Sequence, residues 1–516
     1  MSEKYDVVII GGGHNGLVAA CYLAMAKKKV IILEANTELG GATASIQAFE
    51  GMDVRISRYS YLVSLLPDQI LEDLSIDFST ISRQVSSFTP TIRDGNDVGL
   101  MVNRQLDTET KDSFTSLTGS EKEYKSWDSF YSELYELAQV LAPTMLKPLL
   151  TKEEMKKLAL DKGLSNIWDA MIERPLNEVI ESTFADDLVQ GVVLTDGLIG
   201  TFTPASNMMA NVCFLYHLIG NGTGEWKVPV GGMGAFVKKL TMRATELGVE
   251  IRTDSKVVNI DHDDAGKSTY LASGEVFHSE FIAANCAPQV LAKILGTTPP
   301  AYVKGSQLKI NMLLKKLPRL KSAEDPISAF AGTFHINESY SQLESAYQEA
   351  AAGKIPTVIP AEMYCHTLTD SSIMGDSLIK QGYQTLTLFA LHTPADLFEK
   401  DNDGVKAEML RRILKQLNEY LLDPIEDCLA VDINGELCIE VKSPLDLEKD
   451  VALPGGNIFH TDLHFPFSDD DQVDSRNRWG VETADEKIFI CGAGALRGGG
   501  VSGIGGHNAA MAILGR

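Results

Sequence analysis

YDVVIIGGGHNGLVAACYLAMAKKKVIILEANTELGG, residues 5–41, decides the fold. Tyr5–Ile10 is a short continuous apolar run closed by three glycines, the pattern of a strand buried on both faces. From Asn15 to Ala26 the residues are small and apolar, which predicts a helix packed on that strand. Lys27–Lys29 solvates the following turn, and Val30–Leu33 reads as a second buried strand. Strand, helix and strand make a βαβ unit, and a parallel sheet follows from it. Gly11, Gly13 and Gly16 form G-x-G-x-x-G between the first strand and the helix. The first glycine permits a tight turn, the second lets backbone approach a pyrophosphate, and the third lets helix and strand pack closely. Glu34 stands eighteen residues after Gly16, at the end of the second strand, placed to accept hydrogen bonds from an adenosine ribose. A turn with chance glycines does not account for all of these together.

The residues after Glu34 select the dinucleotide. The run Glu34-Ala-Asn-Thr-Glu-Leu-Gly40-Gly41 resembles the continuation found in FAD sites, where a Gly-Gly pair lets the backbone pass beside the pyrophosphate. No second fingerprint for NADPH is visible in the sequence. The C-terminal stretch IFICGAGALRGGGVSGIGGHNAA (488–510) reads as strand, glycine turn and helix N-terminus. Such an N-terminus favours negative charge, which a flavin gathers at N1–C2=O on reduction.

At 516 residues the chain exceeds one compact core. The reading is an α/β fold: a Rossmann-like FAD-binding domain with a parallel sheet, built from 1–80, 222–300 and 450–516, and an inserted substrate domain of mixed sheet and helices, 81–221 and 301–449. In the inserted part, helix-like segments such as Tyr131–Leu141 alternate with charged ones, Thr151 and Glu154 offer a capping box, Gln384–Leu391 alternates as a strand, and Val405–Leu422 reads as an amphipathic helix. The net charge of −24 disfavours nucleic acid as a partner and an anionic bilayer as a surface, although a local apolar patch can still dock on lipid. Seven scattered cysteines, none in a C-x-x-C pair, argue for a reducing compartment and against a redox-active disulfide. Ten histidines without metal-ligand spacing give no metal site. No secretory signal or spanning apolar stretch is visible, so the expected location is cytoplasmic, with peripheral membrane contact and the mitochondrial matrix both compatible.

Beyond the fingerprint, GGATASIQAFEGMDVRISRYSYLVSLL (40–66), GEWKVPVGGMGAF (224–236), ALPGGNIFHTDLH (452–464) and the stretch 488–510 carry a family likeness. The chain resembles the phytoene-desaturase-related branch of the amine-oxidase-like flavoproteins, and within it the subgroup named for a pyridine nucleotide-disulfide oxidoreductase domain. The resemblance implies that Gly231, Gly232 and Met233 form a second flavin-proximal segment. It implies that Val257 meets the adenine, that Gly492 lies near the ribityl phosphate, and that Val501 and Ser502 open the last helix against the isoalloxazine ring. Ala42 stands where many relatives have arginine, and Lys28 where glycine is frequent. No cysteine occupies a flavin-tethering position, so non-covalent FAD is expected.

The weaker candidates are Arg58 and Tyr61, in the stretch that should line the substrate side, His507 in the last helix, Arg497 before the glycine run, and His460. For His507 the alternative is packing beside backbone, and for Arg497 it is a solvated loop. The apolar segment Phe202–Ile219 suits a buried helix, a substrate tunnel wall or a bilayer-dipping element. The family implies hydride removal from a hydrophobic substrate to give a double bond, with electrons leaving to oxygen, a quinone or another diffusible acceptor. No residue stands out as a general base. Two rival readings remain open: an amine or amino-acid oxidase, and a non-catalytic lipid or protein-binding escort protein on the same fold.

Overall fold

The computed structural model describes residues 4–263, 266–468 and 478–516. Among these, one seven-stranded sheet contains β1 (Lys4–Ile10), β2 (Val30–Leu33), β3 (Glu250–Arg252), β4 (Val257–Asp263), β5 (Gly266–Leu271), β6 (Val276–Ala284) and β7 (Ile488–Ile490). The order is β4-β5-β6-β1-β2-β3, parallel from β6 to β3 and antiparallel from β4 to β6. β7 lies parallel to Ile282–Ala284, beyond the residues where β6 pairs with β5. Three separated stretches of chain therefore supply one sheet. Val7, Val8 and Ile9 are wholly buried, as their unbroken apolar run requires of a strand covered on both faces.

Five helices position the site: α1 (His14–Met25), α2 (Lys122–Leu141), α3 (Met208–Ile219), α4 (Met233–Glu246) and α5 (Ile504–Leu514). The small residues of α1 allow α5 to lie against it. A Cβ on Gly506 would fall 2.1 Å from the Asn15 carbonyl oxygen, so only glycine permits that approach. Leu17, Val18 and Leu23 then share a core with Ile9, Ile32, Phe236 and Ile513.

The second sheet, also seven-stranded among the described residues, runs in the order 439–442, 308–314, 384–390, 361–364, 333–336, 85–93 and 96–103. It is antiparallel except where Thr333–Ile336 meets Val85–Arg93. The helix Asn402–Leu417 covers it through Met409, Ile413 and Leu417. A separate helical core is built on α2 and α3, with Trp127, Phe130, Leu134 and Phe214. α3 is buried from Ala210 to Ile219 as a core helix, and its Cys213, Tyr216 and His217 also line a cavity. The capping box at Thr151 and Glu154 is formed.

The hairpin Val85–Asn103 departs from the sequence reading, which saw only charged and helix-like segments there. Pro90 and the serines at 86 and 87 hide its alternation. Its turn is carried by Asp94 and Gly95, both at positive φ (51° and 78°), the backbone a two-residue hairpin demands. The seven cysteines are all free. Among the described residues no helix is long and apolar enough to cross a membrane.

Candidate cofactor and substrate site

The loops after β1, β2 and β6 and the C-terminal glycine turn converge on a cavity of about 450 Å³ that reaches Phe389 of the second sheet. Its nucleotide end is organised by Glu34. One carboxylate oxygen accepts from the Gly12 amide at 2.7 Å and the other from the Asn36 amide at 2.8 Å. Gly13 is the N-cap residue of α1 with no side-chain cap, so the first-turn amides are left for a ligand anion. The Gly40 amide donates to the Gly12 carbonyl at 3.0 Å, which sets the Gly-Gly pair beside the fingerprint. Gly40 itself has φ 110°, closed to most side chains. An acceptor for ribose, an open helix N-terminus and two glycine-only approaches fit a dinucleotide. Leu62, Leu65, Ile199 and Phe459 then give an apolar wall suited to a flat ring.

Gly11, Gly13, Glu34, Gly40, Gly41, Val257, Val501, Tyr61 and His460 stand in the cavity wall. Gly16 lies behind it as the packing glycine: a Cβ there would sit 2.4 Å from the Gly11 carbonyl oxygen. Gly492 is also outside the wall, where a Cβ would lie 2.9 Å from the Asn285 carbonyl oxygen. Ser502 is fully buried, and its hydroxyl oxygen accepts from the Ile504 amide at 3.2 Å, closing the turn before α5. Gly232 and Met233 do not reach the cavity. Gly232, at φ 75°, is the N-cap of α4, and the Met233 amide donates to the Ser57 hydroxyl at 3.0 Å while its side chain joins the Phe236 core.

Three weaker candidates fall elsewhere. His507 packs edge-on against Tyr22, with ring centres 5.0 Å apart, and its Nδ1 lies 2.8 Å from Asn508 Oδ1, outside the cofactor cavity. Arg497 is neither solvated nor cavity-facing. It is 1 % exposed and donates to the carbonyls of Thr144, Lys147 and Trp479, satisfying backbone just beyond α2. Arg58 turns to Glu440 at 3.3 Å and Asp450 at 3.4 Å.

Several groups went unread in the sequence. Asn285, just past β6, donates to the Gly11 carbonyl at 3.1 Å and lines the cavity. His14 follows the second fingerprint glycine, 3.0 Å from Thr43 Oγ1, and its Nε2 is buried without a partner. Burial, with His460 nearby, brings His14 down to about 4, and burial does the same to His460, so both imidazoles are neutral near pH 7. Lys309 donates to the carbonyls of Ser57 at 2.7 Å and Ser60 at 3.3 Å, beneath the Tyr59–Tyr61 wall. Burial lowers it to about 7. A lone lysine in the apolar strand LKINMLL was the available signal.

The βαβ fingerprint, the ribose acceptor and the apolar slot between two sheets define a dinucleotide-binding flavoprotein oxidoreductase. The NAD(P)-binding Rossmann-like domain profile matches residues 9–68 and the flavin containing amine oxidoreductase profile matches 68–426. The chain belongs to the flavin containing amine oxidoreductase family, and its cofactor is FAD. An uncharacterised protein of Mycobacterium tuberculosis is 43% identical over 99% of this chain and 97% of its own. Pyridine nucleotide-disulfide oxidoreductase domain-containing protein 2 of Mus musculus is 27% identical over 100% of this chain and 94% of its own. Among solved structures, a cofactor-binding redesign of putrescine oxidase shares the fold at TM-score 0.60, with 17% identity and 99% of both chains covered.

Proposed function

We propose that this oxidoreductase is a dehydrogenase of apolar substrates, removing hydride from a C–H bond and leaving a carbon–carbon double bond. The observation that carries the reading is the apolar far end of the cofactor cavity, where Leu62, Leu65, Ile199, Cys213 and Phe459 face one space. A carotenoid 3,4-desaturase among the relatives supports it. FAD, held without a covalent bond, supplies the hydride acceptor. In this reading the α1 amides and Gly11, Gly13, Gly40 and Gly41 hold the pyrophosphate, Glu34 the ribose and Val257 the adenine. Gly500 and Val501 bring backbone to the ring, and the apolar wall orients the substrate. The second electron pair forms the double bond as a proton leaves the neighbouring carbon to water. Oxygen, a quinone or another diffusible acceptor reoxidises the cofactor.

An amine oxidase needs an aromatic cage for nitrogen, and an amino-acid oxidase needs a clamp for the substrate carboxylate as well as room for its amine. Tyr61 and Tyr364 are 3.9 Å apart and Tyr61 and Phe389 4.7 Å, so these rings touch and leave no slot. The escort-protein reading leaves the complete set of dinucleotide features without a purpose. Anaerobic mixing of the purified yellow protein with apolar lipid fractions should bleach the flavin band and yield a product two hydrogens lighter. Bleaching by amines alone, with peroxide formed in air, would replace this reading with an amine oxidase.

A further inference from the structure

Beside the far end of the cofactor cavity lies a second chamber of about 170 Å³. Tyr61, Ile199, His217 and Trp226 stand in the walls of both, so the two spaces adjoin at these side chains. The first space ends in apolar surface, whereas this one is faced by Arg83, Arg104, Asp196 and Glu362.

Arg83 is the anomaly. It is 8 % exposed, its Nε has no hydrogen-bond partner, and Nη1 donates to Thr333 Oγ1 at a long 3.4 Å. Its guanidinium carbon lies 5.7 Å from the Tyr364 ring centre, a contact that leaves the donors free. Among the described residues it forms no ion pair, although guanidinium carries five donors in a fork shaped for a carboxylate. Arg497 is buried to a similar degree but satisfies three backbone carbonyls. An unpaired charge taken out of water is costly, so Arg83 is explained where a ligand supplies its partner.

The carboxyls nearby do not fill that role. Burial pushes Glu362 up to about 8 even against the pull of the Arg83 charge, and also raises Asp196, so near neutral pH Glu362 is largely uncharged. The Tyr61 hydroxyl donates to Glu362 at 3.4 Å, which ties this carboxyl to the side chain shared by the two spaces. Arg104 holds Arg83 from behind, donating through Nε to its carbonyl at 3.0 Å while pairing with Glu225 at 3.2 Å. The result is a small chamber with a fixed, unspent guanidinium opening beside an apolar slot.

We propose that this chamber binds the carboxylate of an apolar monocarboxylic acid, with Arg83 as its ligand and the hydrocarbon body lying past Tyr61 toward the cofactor. This rests on the apolar-substrate reading above and narrows it to acids. Bound acid completes the arginine fork, and the fixed head sets which carbon stands at the ring.

Decanoate, decanol and decylamine, matched in length, test the proposal on the FAD-loaded protein. Binding is followed by perturbation of the flavin absorbance and by thermal shift. Decanoate should bind at least tenfold tighter than decanol. Arg83→Gln should remove that advantage while decanol binding and FAD content stay unchanged, and Arg83→Lys should keep part of it. Absent decanoate binding, equal affinity for acid and alcohol, or unaltered decanoate affinity in Arg83→Gln would overturn the proposal. Tighter binding of decylamine would assign the chamber to a cation instead and overturn it too. The comparison of the three probes on the unmodified protein stands even if Arg83→Gln does not fold. Oxidation of apolar compounds without any acid preference would leave the broader reading intact and remove this one alone.

Discussion

Alanine at Gly13 and alanine at Gly16 should fail in different ways, although the two glycines are three residues apart in one motif. Gly16 lies inside α1, and an added Cβ would sit 2.4 Å from the Gly11 carbonyl oxygen, a backbone atom that cannot swing aside. Since ordinary contact begins at 3.4 Å, helix and strand must separate by about 1 Å. Overpacking of that kind costs about 1–3 kcal/mol, offset in part by up to about 1 kcal/mol of alanine's helix preference. Gly13 is different. Its φ of −69° and ψ of 169° suit any L-residue, and the nearest atom to an added Cβ is Asn285 Nδ2 at 2.9 Å, the tip of a side chain. That methyl would instead enter the cavity where the pyrophosphate approaches α1. Gly13→Ala should therefore leave the apoprotein melting near the wild-type temperature and weaken FAD at least about tenfold, or about 1.4 kcal/mol. Gly16→Ala should lower the apoprotein midpoint by roughly 1–3 °C. Scanning fluorimetry of deflavinated protein and calorimetric titration with FAD separate the two effects. Full FAD affinity in Gly13→Ala, or an unshifted apoprotein midpoint in Gly16→Ala, would refute the division of labour.

Glu34→Ala should weaken FAD by about 1.5–3 kcal/mol in the same titration, the range for a charged hydrogen bond, and unchanged affinity would move the ribose elsewhere. Glu362 is held up from 4.5 to about 8, so the folded state keeps a proton that the unfolded chain releases between those pH values. Its contribution therefore weakens stability as pH rises from 4.5 to 8, by on the order of 5 kcal/mol in full, and Glu362→Gln should flatten that part of the melting-temperature profile. Parallel profiles for the two proteins would contradict the shift. Arg497→Met strips the buried Thr144 carbonyl and the less buried Lys147 and Trp479 carbonyls of their donor and should destabilise the protein by roughly 1–3 kcal/mol, read as a loss in denaturant midpoint; an unchanged midpoint would show those bonds to be dispensable. Excess NADPH under anaerobic conditions should leave the oxidised flavin spectrum largely intact over minutes, because the sequence carries one dinucleotide fingerprint; rapid bleaching would reveal a second nucleotide site.

The βαβ unit was legible almost to the residue, since buried strands, small-residue helix and glycine turn each leave their own pattern in adjacent residues. The cavity wall was legible where the resemblance concerned backbone, at Gly40, Gly41, Val257 and Val501. It failed for Met233, whose apolar side chain is as much at home in the α4 core as beside a ring. Arg497 shows the same limit for charge: a guanidinium among glycines reads as a flavin neighbour or as solvated until the carbonyls of Thr144 and Lys147 are seen to meet it. The second chamber had no sequence signature at all. Arg83 and Arg104 flank the Val85–Asn103 hairpin, Asp196 follows the helix Asp187–Thr195 and Glu362 stands in the strand Ala361–Tyr364, so only tertiary packing brings them to one space.

The charge of the chain makes the backbone's share in cofactor binding larger than that of its side chains. A protein of net charge −24 repels a pyrophosphate at long range, and Ala42 puts no positive charge beside the Gly40–Gly41 pair. His14 and His460, both in the cavity wall, are neutral near pH 7 and add no positive charge. The wall's remaining cations are Lys256 and Lys449, and Glu34 and Asp450 stand there with the opposite sign. What is left is the uncapped start of α1, whose amides carry a partial positive charge fixed by the helix itself. Such dipoles act over a few ångströms, where the field of a distant acidic surface is screened by salt within about 10 Å. The two therefore do not compete on equal terms, and an acidic protein can hold an anionic cofactor without an arginine clamp, provided that nothing larger than glycine stands at position 13.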